Sequence, residues 1–217
     1  MMRRRVELND RLPTTSADAP PAVFQTLDRT ARYPYARSEY IRRLAWNLVQ
    51  STLFRIPLPR AYTWRRFLLR LFGAQMGTAA AVGATTRIMH PWLLKMGDWS
   101  NVAGGTVVYN LGLVTIGDHS VISQDAYLCA GTHDYTQPTL PLLREPITIG
   151  SGVWIAAGAF IGPRVTVGDN SVVGARAVVM KDVPPEVVVA GNPARIIKKR
   201  LTTALPLPPG AGRGEGA

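Results

Sequence analysis

The chain has 217 residues, 47% of them hydrophobic, which is enough to bury a core in one main domain with appended segments. Its single cysteine, Cys129, excludes an internal disulfide, and no run reaches the roughly eighteen uninterrupted apolar residues that read as a membrane span. The net charge of +11 is uneven: residues 1–75 hold 14 Arg against five acids (14 − 5 = +9), and the remainder holds eleven basic against nine acidic residues (11 − 9 = +2).

Met1-Met2 is followed by Arg3, Arg4 and Arg5, but then by Glu7, Asn9 and Asp10 instead of the apolar run of a signal peptide, so a reducing, cytoplasmic setting is expected. Residues 1–37 read as a poorly ordered basic segment. Residues 38–75 read as an amphipathic helical extension. The first helix is predicted from Ser38, as its N-cap, to Ile56, with Ile41, Leu44, Ala45, Leu48 and Val49 at helical spacing and Pro57 ending the run. A second is predicted over Tyr62–Phe72. There Trp64, Phe67, Leu68 and Leu71 form an apolar face opposite Arg65, Arg66 and Arg70, and Gly73 ends the helix.

Beyond residue 75 the pattern changes. Ile149, Ile155, Ile161, Val167, Val173 and Val179 stand six apart without a miss, a period belonging neither to a helix nor to an ordinary strand. Position two of this hexapeptide is Gly150, Ala156, Gly162, Gly168, Gly174 and Met180. Position five is Val153, Ala159, Val165, Ser171, Ala177 and Val183. The same grammar runs upstream from Val82, with two-residue losses of phase near Leu94 and Leu113 and a longer one after His133. If each hexapeptide is one flat face of a triangular coil, three close a turn. The fold expected for residues 76–200 is therefore a left-handed parallel β-helix, all-β, carrying the N-terminal α-helical extension. A β-sandwich would need period-two alternation and hairpin turns, which are lacking.

The basic helices fit two roles: a cap over the open end of the β-helix or contact with an anionic membrane surface. Nucleic-acid binding is not expected, since the arginines are interleaved with apolar residues and no nucleic-acid module accompanies them. Residues 201–217, rich in Pro and Gly, read as a disordered tail.

Of the three histidines, His119 reads as surface and His90 as structural. His133 ends the hexapeptide Leu128–His133, at the root of a thirteen-residue loop, 134–146. By position alone it fits a solvated turn histidine and a general base equally. The histidines are 29 and 14 residues apart with no His-x₄-His pair, so no metal site, including the zinc site of a γ-class carbonic anhydrase, is expected.

The run Val114–Arg200 resembles the hexapeptide-repeat O-acetyltransferases of the maltose, galactoside and nodulation-factor group. The matching elements include Val114-Thr115-Ile116-Gly117-Asp118, Gly131-Thr132-His133-Asp134, Lys181-Asp182-Val183-Pro184-Pro185 and Val189-Ala190-Gly191-Asn192-Pro193-Ala194. Ile122–Tyr135, together with Arg43-Leu44-Ala45-Trp46-Asn47 and Trp64–Ala74, is similar to colanic-acid biosynthesis acetyltransferases. The resemblance implies transfer of acetyl from acetyl-CoA, with no metal, to a sugar hydroxyl of an exopolysaccharide precursor, and His133 as general base. It implies acceptor contacts from Asn110 and Asp134, and acetyl-CoA contacts from Trp154, Ala157, Ala175, Met180, Lys181 and Lys198, with Lys199 and Arg200 nearby. A homotrimer with sites between subunits follows from the same likeness, and a lipid-linked acceptor would give the basic N-terminal helices a purpose at the inner membrane face. Acetylation of a small hydroxylated metabolite or antibiotic is the alternative acceptor chemistry, and a non-catalytic β-helix scaffold is the alternative of another class.

Overall fold

The computed structural model describes residues 24–26, 35–56 and 61–201; the segments expected to be disordered fall largely outside these. From Gln75 onward the chain winds as a three-sided parallel β-helix. The first face carries the strands Gln75–Met76, Leu94–Met96, Val114–Ile116, Ile147–Ile149 and Thr166–Val167. The second runs from Ala81–Val82 through Asn101–Val102, Val121–Ile122, Trp154–Ile155 and Val172–Val173 to Val187–Ala190, and ends on an antiparallel strand, Arg195–Lys199. The third holds Arg87–Ile88, Val107–Tyr109, Tyr127–Cys129, Phe160–Ile161 and Val178–Val179.

The hexapeptide grammar has a direct physical basis. The aliphatic residues from Ile149 to Val179 that mark the period are all 2% exposed or less, stacked on their equivalents along the axis. Each buried aliphatic of this size contributes about 1.5–3 kcal/mol. The small residues at position five are also buried, among them Ala159, Ser171 and Ala177. Position two is small because the next coil's backbone passes close beneath it: a Cβ on Gly117 would sit 2.6 Å from the carbonyl carbon of Gly150, and one on Gly168 2.5 Å from the nitrogen of Pro185. The aspartates that follow such glycines join one coil to another. Asp98 accepts from the amide of Thr78 at 2.6 Å, Asp118 from Asp98 at 2.7 Å, and Asp169 from Ser151 at 2.7 Å.

Every departure from the six-residue period lies on one corner, where the third face turns into the first. Ile88 and Met96 are interior neighbours eight residues apart (96 − 88), Val108 and Ile116 likewise (116 − 108), and Leu128 and Ile149 are separated by 21 (149 − 128). Elsewhere the spacing stays six. Extra residues at a corner leave strand register intact, as Met96↔Ile116 and Ile116↔Ile149 show.

The N-terminal helices cap the first coil. Helix α1 spans Arg37–Ser51 and is followed by a short 3₁₀ turn, Leu53–Arg55; helix α2 spans Tyr62–Leu71. Ser38 is not the N-cap: Ala36 holds that position in extended geometry, with no side-chain cap, and Pro57 lies outside the described residues. Trp46 is fully buried against Phe54 and Phe72 and donates its indole N–H to the carbonyl of Ile88 at 2.7 Å. Gln50 accepts from the amide of the same residue at 2.6 Å.

The inward face of α2 differs in part from the sequence expectation: Leu68 is buried as expected, but beside Leu69 and Arg65 in place of Phe67 and Leu71. Arg65 is buried and donates to the carbonyl of Val82 at 2.6 Å; Arg66 reaches that of Ala80 at 3.2 Å and Arg70 that of Met76 at 2.6 Å. Phe67 and Leu71 face outward. A solenoid end presents unpaired carbonyl groups, which guanidinium donors satisfy and apolar side chains cannot. Ile41, Leu44 and Leu48 of α1 are likewise exposed.

Candidate active site

The irregular corner builds a pocket. Met89, Tyr109 and Leu111 come from its stacked turns, Tyr35, Tyr40 and Arg43 from the start of α1 and the residues before it, and His133 and Leu142 from the loop that leaves the third coil. Together they enclose about 310 Å³. The loop is a β-hairpin: Gly131–His133 pairs antiparallel with Leu142–Arg144, placing His133 opposite Leu142. His133 is exposed, and its Nδ1 lies 2.7 Å from the carbonyl oxygen of Leu140, a residue at φ +43°. A carbonyl only accepts, so this contact places a proton on Nδ1 and, in the neutral ring, the lone pair on Nε2.

Arg144 fixes the pocket wall. Its Nε donates to the carbonyl of Leu111 at 2.8 Å and its Nη2 meets Glu39 of α1 at 3.0 Å, tying helix, corner and hairpin together. Tyr35 lies edge-on to Tyr40 and to His90, with ring centroids 5.7 and 5.9 Å away. Burial raises the Tyr35 phenol above its ordinary value, so it stays protonated at neutral pH.

Two residues expected at the acceptor are committed elsewhere. Asn110 is fully buried: its Oδ1 accepts from the amides of Met89 and His90 at 3.1 and 2.9 Å, and its Nδ2 donates to the carbonyl of His90 at 2.6 Å. It staples two turns of the corner and does not line the pocket. Asp134 is spent within its own turn, accepting from the amide and hydroxyl of Thr136 and from the side-chain amide of Gln137. These bonds, the Thr136 hydroxyl first, hold its carboxyl below the usual range. His90 is structural as expected. Burial depresses it to about 4, its Nδ1 faces the carbonyl of Asn110 at 3.1 Å, and its buried Nε2 has no hydrogen-bond partner among the described residues. His119 is exposed.

The residues expected at the donor fall at two ends of the third face. Met180 and Lys181 border two clefts. One, of about 450 Å³, is shared with Thr132, the neighbour of His133; the other, of about 670 Å³, also touches Pro193–Ile196. Along the hairpin strand Thr132 and His133 alternate, so the His133 pocket and the first cleft flank the same strand. Ala157 and Ala175 lie at the opposite corner, in turns of successive coils linked by the bond from the Arg176 amide to the Ala157 carbonyl. Trp154 stands on the second face leading to that corner, half exposed, its indole N–H on the hydroxyl of Ser123 at 3.0 Å. Lys198 is exposed on the last strand opposite Val188. Arg200, just past that strand, donates from Nη1 to the carbonyls of Gly152 and Asn170 at 2.8 and 3.1 Å.

The sequence reading missed Tyr35, Tyr40, Arg43 and Tyr109. The spacing of Tyr40 and Arg43, three apart on one helix, is a signal that both face one way. Tyr35 fell in a segment expected to be disordered. Among the described residues, no group of three or more His, Cys, Asp or Glu could hold a metal ion.

Residues 146–181 match the family model for the bacterial transferase hexapeptide, six repeats. WcaF of Escherichia coli (strain K12), whose name assigns it to colanic acid biosynthesis as an acetyltransferase, is 45% identical over 158 residues, 73% of this chain and 87% of WcaF. Among solved structures, a hexapeptide-repeat acetyltransferase of Vibrio cholerae complexed with acetyl coenzyme A superposes with a TM-score of 0.72 at 26% identity, covering 81% of this chain and 96% of that one. A galactoside acetyltransferase in complex with coenzyme A gives 0.70 at 29%, covering 77% and 85%. With 45% identity across 87% of WcaF, the chain belongs to the hexapeptide-repeat acetyltransferases.

Proposed function

We propose that the protein transfers acetyl from acetyl-CoA to a sugar hydroxyl in exopolysaccharide assembly, with His133 as general base. The observation that carries this reading is the contact of His133 Nδ1 with the Leu140 carbonyl, which in the neutral ring puts the lone pair on Nε2, beside an aromatic-walled pocket. In the step itself, Nε2 takes the proton of the acceptor hydroxyl as its oxygen bonds to the thioester carbonyl carbon. The carbon–sulfur bond breaks, and the leaving CoA sulfur receives that proton. Proton removal of this kind contributes about 10²–10⁴-fold, and alignment of two bound substrates contributes further. A pyranose has apolar faces that suit Tyr40 and Tyr109 and hydroxyls that suit their phenols. Acetyl-CoA as donor is supported by the ligands of the two superposed acetyltransferases.

The donor residues at two ends of the third face are reconciled by a homotrimer. His133, Met180 and Lys181 of one subunit then meet Trp154, Ala157 and Ala175 of the next. Trp154 and Met180, large apolar side chains 49% and 54% exposed, suit such a junction. Lys198 would meet a phosphate of the donor.

We place the enzyme in the cytoplasm, resting on the inner face of the membrane through the outward stripes of α1 and α2. Leu44 is 73% exposed and Leu71 68%, and the chain's first 75 residues carry the excess of arginine that anionic headgroups attract. Among the described residues no helix is long and apolar enough to cross a membrane.

The deciding experiment is acceptor-dependent release of CoA from acetyl-CoA across a panel of glycans and small alcohols, for wild type and His133→Ala. Release on glycans that the variant loses supports the proposal. Turnover confined to small alcohols moves the acceptor to metabolites, and failure to bind CoA returns the chain to a scaffold.

A further inference from the structure

Arg43 lines the same pocket as His133 and has no carboxylate partner among the described residues. Its guanidinium carbon lies 4.6 Å from the ring centre of Tyr35 and 5.9 Å from that of Tyr40. The neighbouring arginines are committed: Arg42, Arg65, Arg66 and Arg70 each donate to a main-chain carbonyl, and Arg144 pairs with Glu39. The nearby acids are also committed. Glu39 belongs to Arg144, Glu145 faces Arg164 at 3.6 Å, and both oxygens of Asp134 accept from its own turn. The pocket therefore holds one positive charge that the described residues do not neutralise.

A solvated surface arginine would need no counter-charge, but Arg43 is half-buried on a pocket wall and stacked on an aromatic ring. Stacking covers a face of the guanidinium and leaves its N–H edge for a ligand. That planar edge matches a carboxylate or phosphate, with which it forms two parallel charge-assisted bonds. A neutral hydroxyl uses the same edge less well.

We infer that the acceptor carries an anionic group, a carboxylate or a phosphate ester, which pairs with Arg43 while a hydroxyl of the same molecule faces Nε2 of His133. The inference rests on the acetyltransferase reading, and it narrows the acceptor from sugars at large to uronic acids and phosphorylated sugars. The Arg43 charge selects and orients, whereas His133 performs the proton transfer.

Binding tests this independently of turnover. The full-length protein and its Arg43→Gln and Arg43→Lys variants are titrated calorimetrically with methyl glucoside, methyl glucuronide and glucose 1-phosphate. Wild type should bind at least one anion about 10–100-fold more tightly than the neutral glycoside, the range of a hydrogen-bonded ion pair. That ratio should fall to near one in Arg43→Gln and be partly kept in Arg43→Lys, which retains charge but loses the planar fork. Preference for the glucuronide alone identifies a carboxylate, and for the phosphate alone a phosphate ester. Equal binding of all three sugars by wild type, or a ratio unchanged in Arg43→Gln, overturns the inference. Loss of the ratio at high salt in wild type gives the same reading should Arg43→Gln fail to fold. CoA release in wild type against His133→Ala, run separately, reads the acetyltransferase proposal, so either can fail without the other.

Discussion

His133 and Leu140, seven residues apart at opposite ends of a hairpin loop, meet through a 2.7 Å contact between Nδ1 and a main-chain carbonyl. The histidine's tautomer thus depends on the path of the loop. His133→Ala should lower acetyl transfer by about 10²–10⁴-fold while leaving CoA binding by calorimetry unchanged. Leu140 holds a positive φ that glycine adopts more easily, so Leu140→Gly loosens the loop around the carbonyl. The expected result is a fall in kcat larger than any rise in the KM for acetyl-CoA. Full activity in His133→Ala would remove the base assignment.

Arg65 supplies a donor to the first coil. Arg65→Met keeps much of the volume and leaves the carbonyl of Val82 unpaired, a cost of about 1–3 kcal/mol. For a chain of this size the melting temperature should drop by roughly 2–10 °C. A variant as stable as wild type would mean that the guanidinium contributes no net stability at the cap.

His90 sets an acid limit on stability. Its pKa is lowered by burial to about 4 from an ordinary 6.5, so the unfolded chain binds a proton that the folded one refuses. The contribution is fully present above pH 6.5 and is lost as pH falls toward 4, by about 3 kcal/mol. Melting temperatures of wild type and His90→Gln, followed across that window, should converge as the pH drops. Parallel curves would show that His90 does not govern the loss.

Subunit sharing of the site is testable by mixing. A trimer has a mass of about 71 kDa (3 × 23.6 kDa) by light scattering. His133→Ala and Ala175→Trp, each inactive alone, should regain about one quarter of wild-type activity when refolded together, because some junctions then pair an intact His133 with an intact Ala175. No recovery in mixed trimers would place both residues' functions within one chain.

Membrane contact predicts sedimentation of wild type with vesicles containing anionic lipid, and loss of sedimentation in Leu44→Glu with Phe67→Glu. If wild type stays in the supernatant at low salt, the outward stripes serve some other partner.

The interior ladder from Ile149 to Val179 was legible because a β-helix repeats one local environment, so a single period reports both burial and topology. The loop at His133 was legible as a break in that period. The orientation of α2 was not, since the usual inward apolar face presumes an apolar surface to cover, and the end of a solenoid offers carbonyls to Arg65 and Arg70 instead. Asn110 was ambiguous for a related reason: an asparagine beside an irregular turn can bind a ligand or satisfy the turn, and the sequence does not show that the amides of Met89 and His90 stack against it. Arg43 and Tyr40 come to His133 from about ninety residues away, across a docking of helix on corner that no local pattern encodes.

Capping also bears on how the molecule stays finite. A parallel β-coil with bare edges is a growth surface on which another copy could continue the ladder indefinitely. Met76, Val82 and Ile88, one strand end on each face, have their carbonyls taken by Arg70, Arg65 and Trp46, donors that no incoming strand can displace without expelling the helices. The same contacts that close the core thus act as a stop signal against filament growth, and a chain stripped of its helices would be free to polymerise end to end.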